Sequence, residues 1–189
     1  MIKIREGLWL GNIRDIQSLN QTRITQHGIT HILSMVEVGG FDSTQFGIVR
    51  KEVAIDDVES ENLLIHLEDC LEFIDNAIVV CKGVVLVHCR MGLSRSVSVI
   101  VAHLMRSEGL SFAKGLAEVE KVSPTAVNHG FRKQLKIFGT MGTMKKLRVC
   151  PDCHSATKII SKFSGRNIIV SVHELQNGPY SCEDWIKDH

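Results

Sequence analysis

The stretch that decides the fold reads Val84-Val85-Leu86-Val87-His88-Cys89-Arg90-Met91-Gly92-Leu93-Ser94-Arg95-Ser96. It opens with four aliphatic residues, Val84 to Val87, which fit a strand buried on both faces of a parallel sheet. The glycine and serines that follow are those of a tight loop. Beyond Ser94, the pattern Val97, Val99, Ile100, Val101, Leu104 and Met105 predicts a buried helix. A cysteine and an arginine with five residues between them therefore stand where a strand ends and a helix begins.

That placement has chemical consequences. Successive N–H groups in such a loop turn inward and form an anion nest. The helix starting near Ser94 adds its unpaired N–H groups and the positive end of its dipole. Arg95 can hold two oxygens of a phosphate with its planar fork of donors, which a lysine cannot do. The same field favours thiolate over thiol at Cys89. Free cysteine titrates near about 8.5, and such surroundings bring it to roughly 3.5–7.5. A thiolate at neutral pH is a strong nucleophile. Ser96 is placed to donate a hydrogen bond to the Cys89 sulfur and so improve it as a leaving group. Gly92 leaves room where the backbone must approach a ligand, and His88 orders the loop from beneath. Taken singly, a cysteine at a strand end is a small buried hydrophobe and an arginine at a helix start is solvated. The strand, glycine, spacing and helix together point to a phosphate site. No Gly-Lys-Ser/Thr follows, so this is not a nucleotide-binding P-loop.

Outward from the loop, residues 4 to 10 read as a short strand and Ile13 to Gln26 as one polar-faced helix ending at Gly28. Strands are expected over His31–Val36 and Ile48–Ile55. Leu64, Leu67, Leu71, Ile74 and Ile78 recur at steps of three and four within a helix from about Asn62 to Val80. The helix after the loop runs to about Glu108 and stops at Gly109. Ser111 caps the next, which carries Phe112, Leu116 and Val119 and closes at Ser123-Pro124. A last helix from near Asn128 buries Phe131, Leu135 and Phe138. Alternating strands and helices predict an α/β fold, a central mixed, mostly parallel sheet with helices on both faces. Ligands in such sheets bind beyond the carboxyl ends of the strands, where Cys89 lies.

The loop His88-Cys89-Arg90-Met91-Gly92-Leu93-Ser94-Arg95-Ser96 resembles the signature of the cysteine-based protein tyrosine phosphatases, and its Ser-Arg-Ser ending resembles the dual-specificity branch. Leu8-Trp9-Leu10-Gly11-Asn12, Gly28-Ile29-Thr30-His31-Ile32-Leu33, Asp57-Val58-Glu59-Ser60-Glu61-Asn62-Leu63 and Phe73-Ile74-Asp75 are similar to that branch as well. So is the closing segment Asn128-His129-Gly130-Phe131 with Gln134-Leu135, which extends the likeness over about residues 4 to 140. The resemblance implies a protein tyrosine phosphatase-like fold and hydrolysis of phosphotyrosine and phosphoserine/phosphothreonine through a phosphocysteine. It implies Cys89 as nucleophile, Arg95 as phosphate clamp and Ser96 as the sulfur's partner. It implies His88, Arg90, Met91, Gly92, Leu93 and Ser94 as the substrate-binding loop, and no cofactor for catalysis. Of the adjacent acids Asp56 and Asp57, it places Asp57 on the general-acid position. By itself the pair also reads as a turn or a helix cap. The short connection containing Gly39-Gly40 implies a shallow cleft. Arg90 is the one extra basic residue of the loop, which favours phosphoprotein substrates over inositol lipids. The competing readings are a phosphoprotein-binding module with little turnover, an RNA 5′-end or phosphoinositide phosphatase on the same fold, and a sulfur-transfer domain.

The chain has 189 residues, 44% of them hydrophobic, and a formal charge of +1. It is long enough for one domain with an appendage. Its balanced charge gives no case for nucleic acid or an anionic membrane as partner, and no apolar run reaches the ~20 residues of a membrane span. Met1-Ile2-Lys3-Ile4-Arg5-Glu6 does not read as a signal peptide, so the expected location is cytoplasmic, nuclear or both. The oligomeric state is not legible. Six cysteines do not make a secreted disulfide pattern; Cys70 and Cys81 read as core or surface residues. The expected division is a catalytic domain over residues 1–144 and a Cys-containing C-terminal extension over 145–189. In that extension Cys150-Pro151-Asp152-Cys153 has the spacing of a zinc knuckle. Cys182 with His154, His173 or His189 would complete a structural site; the alternatives are an unligated surface pair, a partner-docking extension or an added strand.

Overall fold

The computed structural model describes residues 1–140 throughout and, beyond them, the backbone of three strands, Leu147–Val149, Thr157–Phe163 and Arg166–Ser171, which form an antiparallel sheet. In the first 140 residues five strands form one sheet: β1 (Ile2–Arg5), β2 (Leu8–Gly11), β3 (Ile29–Ser34), β4 (Val49–Glu52) and β5 (Val84–His88). Their order is β1-β2-β5-β3-β4. β5 runs parallel to β2 and β3, and β3 parallel to β4; only β1 is antiparallel. Around the sheet lie α1 (Ile13–Gln17), α2 (Gln21–His27), α3 (Leu64–Asp75), α4 (Arg95–Glu108), α5 (Phe112–Glu120) and α6 (His129–Thr140).

β5 is central because both its faces are apolar. Val85 and Val87 pack into a core with α3, α4, α5 and α6, while Leu86 enters a second core with Ile16, Leu19, Ile24 and Ile32. Successive side chains of a strand point to opposite faces, so a strand with no polar face needs cover on both sides. β2 and β3 divide the same way, Leu8, Leu10 and Leu33 on one side, Trp9 and Ile32 on the other. The edge strand β4 is short and carries Arg50, Lys51 and Glu52, charges that discourage pairing with a further strand.

Two expected elements are each two. Residues 4 to 10 are not one strand: β1 and β2 form a hairpin that turns at Gly7. The helix expected from Ile13 to Gln26 is broken at Ser18. Asn12 caps α1, its side chain accepting from the Arg14 and Asp15 amides, and the Asp15 carboxylate reciprocates on the Asn12 N–H. Asn20 caps α2 by accepting from Arg23 N. Two good N-cap residues eight positions apart start two helices where the apolar pattern implied one. α3 continues beyond Asp75 as a π-helical turn, Asn76–Val80. α4 ends at Gly109 and α5 is capped by Ser111, as the sequence predicts.

Candidate active site

Cys89 is the first residue after β5, at the carboxyl edge of the sheet, and α4 begins six positions later at Arg95. The intervening loop turns its carbonyls outward. His88 O accepts from Met35 N (2.8 Å), Arg90 O from Ile13 N (3.2 Å) and Leu93 O from Ala126 N (2.8 Å). A trans peptide points its N–H opposite to its carbonyl, which turns the amides of Met91 and Ser94 back toward the loop. Inside it lies the Cys89 sulfur, accepting from Gly92 N and Ser96 Oγ, each at 3.2 Å. Burial pushes the thiol up. The Ser96 hydroxyl, the amides of Ser96 and Gly92 and the charge of Arg95 outweigh it and hold Cys89 below the ordinary cysteine value. Cys70, buried on α3 without such donors, is pushed up to about 12 and is an inert part of the core.

Arg95 is buried. Its Nη1 donates to Ile55 O (2.9 Å), and its Nε lies 3.7 Å from Asp57 Oδ2 without a hydrogen-bond acceptor. A buried guanidinium donor left open is costly unless an acceptor visits it, and an oxyanion between Arg95 and the loop amides would supply one. Asp57 is brought to the loop from the far side. Its Oδ1 accepts from Ser94 Oγ (2.6 Å) and from Asn128 Nδ2 (2.8 Å). Asp56 is exposed and only its backbone N–H contacts a side chain, that of Glu61. The sequence's choice of Asp57 over Asp56 is therefore the one whose carboxylate reaches the cysteine loop.

Three residues of the expected substrate-binding loop turn their side chains away from its interior or have none, His88 bracing the loop from beneath as the sequence predicts. His88 has no exposed surface. Its Nε2 lies 2.8 Å from Ser34 Oγ and its Nδ1 3.3 Å from Cys89 O, so it braces the loop from below and is no part of the phosphate-facing wall. Burial, the largest influence, drives it down to about 4 and keeps it neutral. Ser94 turns its hydroxyl to Asp57 and to Asn128 N (3.2 Å), so its side chain holds the acid. Gly92 has φ 74°, and a Cβ there would stand 2.8 Å from Gly11 O, so the glycine makes room for the end of β2. Arg90 and Met91 are exposed at the rim and Leu93 is half-buried. Beside Arg90 a cavity of about 260 Å³ is walled by Ile13, Gln17, Val36, Glu37 and Val38.

Sequence reasoning missed Ser34 and Asn128 as members of the site. Ser34 pairs in register with His88 at the end of β3, and a buried serine directly after the apolar pair Ile32-Leu33 was the available signal. Asn128 carries the mark of a helix cap, and its Oδ1 does accept from Phe131 N (2.9 Å); that its amide also serves Asp57 has no local signature. Cys150, Cys153 and Cys182 lie outside the described residues. Among the described residues no group of three or more His, Cys, Asp or Glu side chains is placed to hold a metal ion, and no helix is long and apolar enough to cross a membrane.

The family model of the dual specificity phosphatase catalytic domain matches residues 8–141. The chain belongs to the dual-specificity phosphatase family. Rat dual specificity protein phosphatase 12 is 31% identical over 185 residues, which cover 94% of this chain and 50% of the rat protein. Arabidopsis dual specificity protein phosphatase 1B is 35% identical over 137 residues, 72% of this chain and 80% of that protein. The chain thus spans about half the length of the rat relative. Among solved structures, human DUSP28 superposes with a TM-score of 0.67 at 30% identity, covering 74% of this chain and 96% of that one. The Yvh1 phosphatase domain from Chaetomium thermophilum gives 0.66 at 31%, covering 74% and 94%. The dual-specificity phosphatase match and the resemblance read from the signature loop cover the same stretch. A second family model, the DYW family of nucleic acid deaminases, matches residues 118–186.

Proposed function

We propose that the chain is a cysteine-dependent protein phosphatase that hydrolyses phosphotyrosine and phosphoserine/phosphothreonine monoesters. The observation that carries this reading is the Cys89 sulfur, ringed by donors, with Arg95 and the Asp57 carboxylate beside it. The Cys89 thiolate attacks phosphorus in line; an S–P bond forms as the P–O ester bond breaks. Arg95 and the loop amides stabilise the equatorial oxygens. Asp57, protonated, gives its proton to the leaving oxygen. Ser94 and Asn128 both bond its Oδ1, which leaves Oδ2 as the oxygen to carry that proton. Water then attacks the phosphocysteine, Asp57 takes a proton from it, and the S–P bond breaks with the Ser96 hydroxyl assisting the departing sulfur. Phosphate leaves and the thiolate returns. The rim residues Arg90 and Met91 and the cavity beside them receive the residues flanking the phosphate.

Hydrolysis of an aryl phosphate tests this. Wild type turns over, Cys89→Ser falls by at least about 10⁴-fold and, where the leaving phenol is weakly acidic, Asp57→Asn by about 10²-fold. Turnover no greater than that of Cys89→Ser would leave a phosphoprotein-binding module instead. The presence of both cysteine and acid argues against that alternative. One solved relative, at 28% identity, is named a human tyrosine phosphatase-like serine/threonine/tyrosine-interacting protein. Competition among phosphopeptide, 5′-triphosphate RNA and phosphoinositide separates the protein phosphatase from the other chemistries considered above.

For the extension we propose a structural zinc held by Cys150, Cys153 and Cys182 with a histidine. The Cys-x-x-Cys spacing supports it, and the deaminase family match covers these residues. Deaminase chemistry is not proposed. A zinc deaminase needs a His-x-Glu as well as the paired cysteines, and residues 118–186 contain none. Catalysis at Cys89 requires no metal in this scheme.

A further inference from the structure

The segment that carries Asp57, residues 56–63, has no helix or strand of its own. One element fixes it at three points. At the amino end of α6, Asn128 bonds Asp57 itself. Gln134, which is 2% exposed, holds the far end: its Nε2 donates to Glu61 O (2.8 Å) and its Oε1 accepts from Leu64 N (3.1 Å). Between these, Gly130 lies flat against the Glu59 peptide. A Cβ at 130 would stand 2.7 Å from both Cα and C of Glu59 and closer still to its carbonyl oxygen. Gly130 does not adopt the left-handed backbone that favours glycine, and glycine is a poorer helix former than alanine. The missing side chain therefore serves the neighbour and not the helix. What it meets is backbone, which cannot swing aside as a side chain would. α6 in turn is pinned by Phe131, Leu135 and Phe138 in the core.

We propose that Gly130 is a positioning residue for the acid. Its bare Cα sets how closely the Asp57 segment lies on α6, so the carboxylate is held at the Cys89 loop, and Gln134 secures the end of the same segment. The inference rests on the reading of Asp57 as general acid and assigns that site its template.

The test is kcat/KM across aryl phosphates whose leaving phenols range from strongly to weakly acidic, because only poor leaving groups need the proton. Wild type shows little dependence. Asp57→Asn loses about 10²-fold on the poorest leaving group and little on the best. Gly130→Ala gives the same tilt, at least about tenfold on the poorest and near none on the best. Gly115→Ala is the control for a helix glycine that only packs, its Cβ standing 3.3 Å from Val101 Cγ1; it alters stability and leaves the dependence flat. An equal loss for every leaving group in Gly130→Ala, or no loss, overturns the proposal. If Gly130→Ala does not fold, Gln134→Met must show the tilt, and a flat response there overturns it. A flat response in Asp57→Asn removes the acid assignment itself, and the positioning role with it.

Discussion

Cys89 carries opposed influences, and their balance is measurable. Burial favours the thiol, whereas Ser96, the loop amides and Arg95 favour the thiolate. The rate of alkylation by iodoacetamide follows the thiolate fraction and rises with pH through the thiol's pKa. Wild type should reach its plateau below the pH at which an ordinary cysteine does, and Ser96→Ala should move the rise to higher pH. Identical profiles would remove Ser96 from the account. His88 makes a second prediction. Its folded-state value, about 4, lies below its unfolded value near 6.5, so neutral His88 contributes its full stability above about 6.5 and that contribution is lost as pH falls to about 4. The full loss is on the order of 3 kcal/mol. His31, His66 and His103 are lowered by burial too and slope the curve the same way, so the difference between wild type and His88→Asn is the quantity to measure. In denaturant unfolding the variant should lose less stability than wild type between pH 7 and pH 4.5; parallel losses would contradict the placement of His88. At this scale the convergence of Cys89, Arg95, Ser96 and Asp57 on one loop was legible because each position depends on a spacing or on a family position. What was not legible is the direction in which the Ser94 side chain turns and the neighbour that Gly92 makes room for. Which way a loop side chain turns is set by β2, β3 and α6, all distant in sequence.

Among the elements, β5 and α4 were readable from one continuous stretch, since an all-apolar strand and a dense apolar helix leave few alternatives. The hairpin of β1 and β2 was not, because Glu6-Gly7 interrupts too short a run to register against the flanking alternation. The break between α1 and α2 was hidden for a different reason: Leu19, which sits between them, is itself buried and continues the apolar pattern. α6 is the element on which both the core and the acid segment depend. Its Phe131 is fully buried among α3, α4 and α5 residues. Phe131→Ala should cost about 3–5 kcal/mol in reversible denaturation. A cost under about 1 kcal/mol would mean that α6 is not held by that contact.

At the scale of the whole molecule, the hydrophobic cores seen among the described residues and every group of the proposed site fall within residues 1–140. A chain ending at residue 144 should therefore fold cooperatively and keep the aryl phosphatase activity of the full chain within about twofold. The full chain should carry one zinc per molecule by elemental analysis, lost on Cys150→Ser or Cys153→Ser with turnover unchanged. Zinc absent from the purified full chain would leave the paired cysteines without that role. The alternation of apolar strands and helices predicted the class of fold, but it carries no signature of the second family match over residues 118–186. The claim on which the rest depends is covalent: the Cys89 sulfur accepts the phosphoryl group. Acid quench during turnover of a ³²P-labelled phosphopeptide, followed by peptide mapping, reads it directly. The label should sit on the peptide containing Cys89, accumulate further in Ser96→Ala and vanish in Cys89→Ser; turnover with no label on that peptide, or the same label in Cys89→Ser, would contradict it.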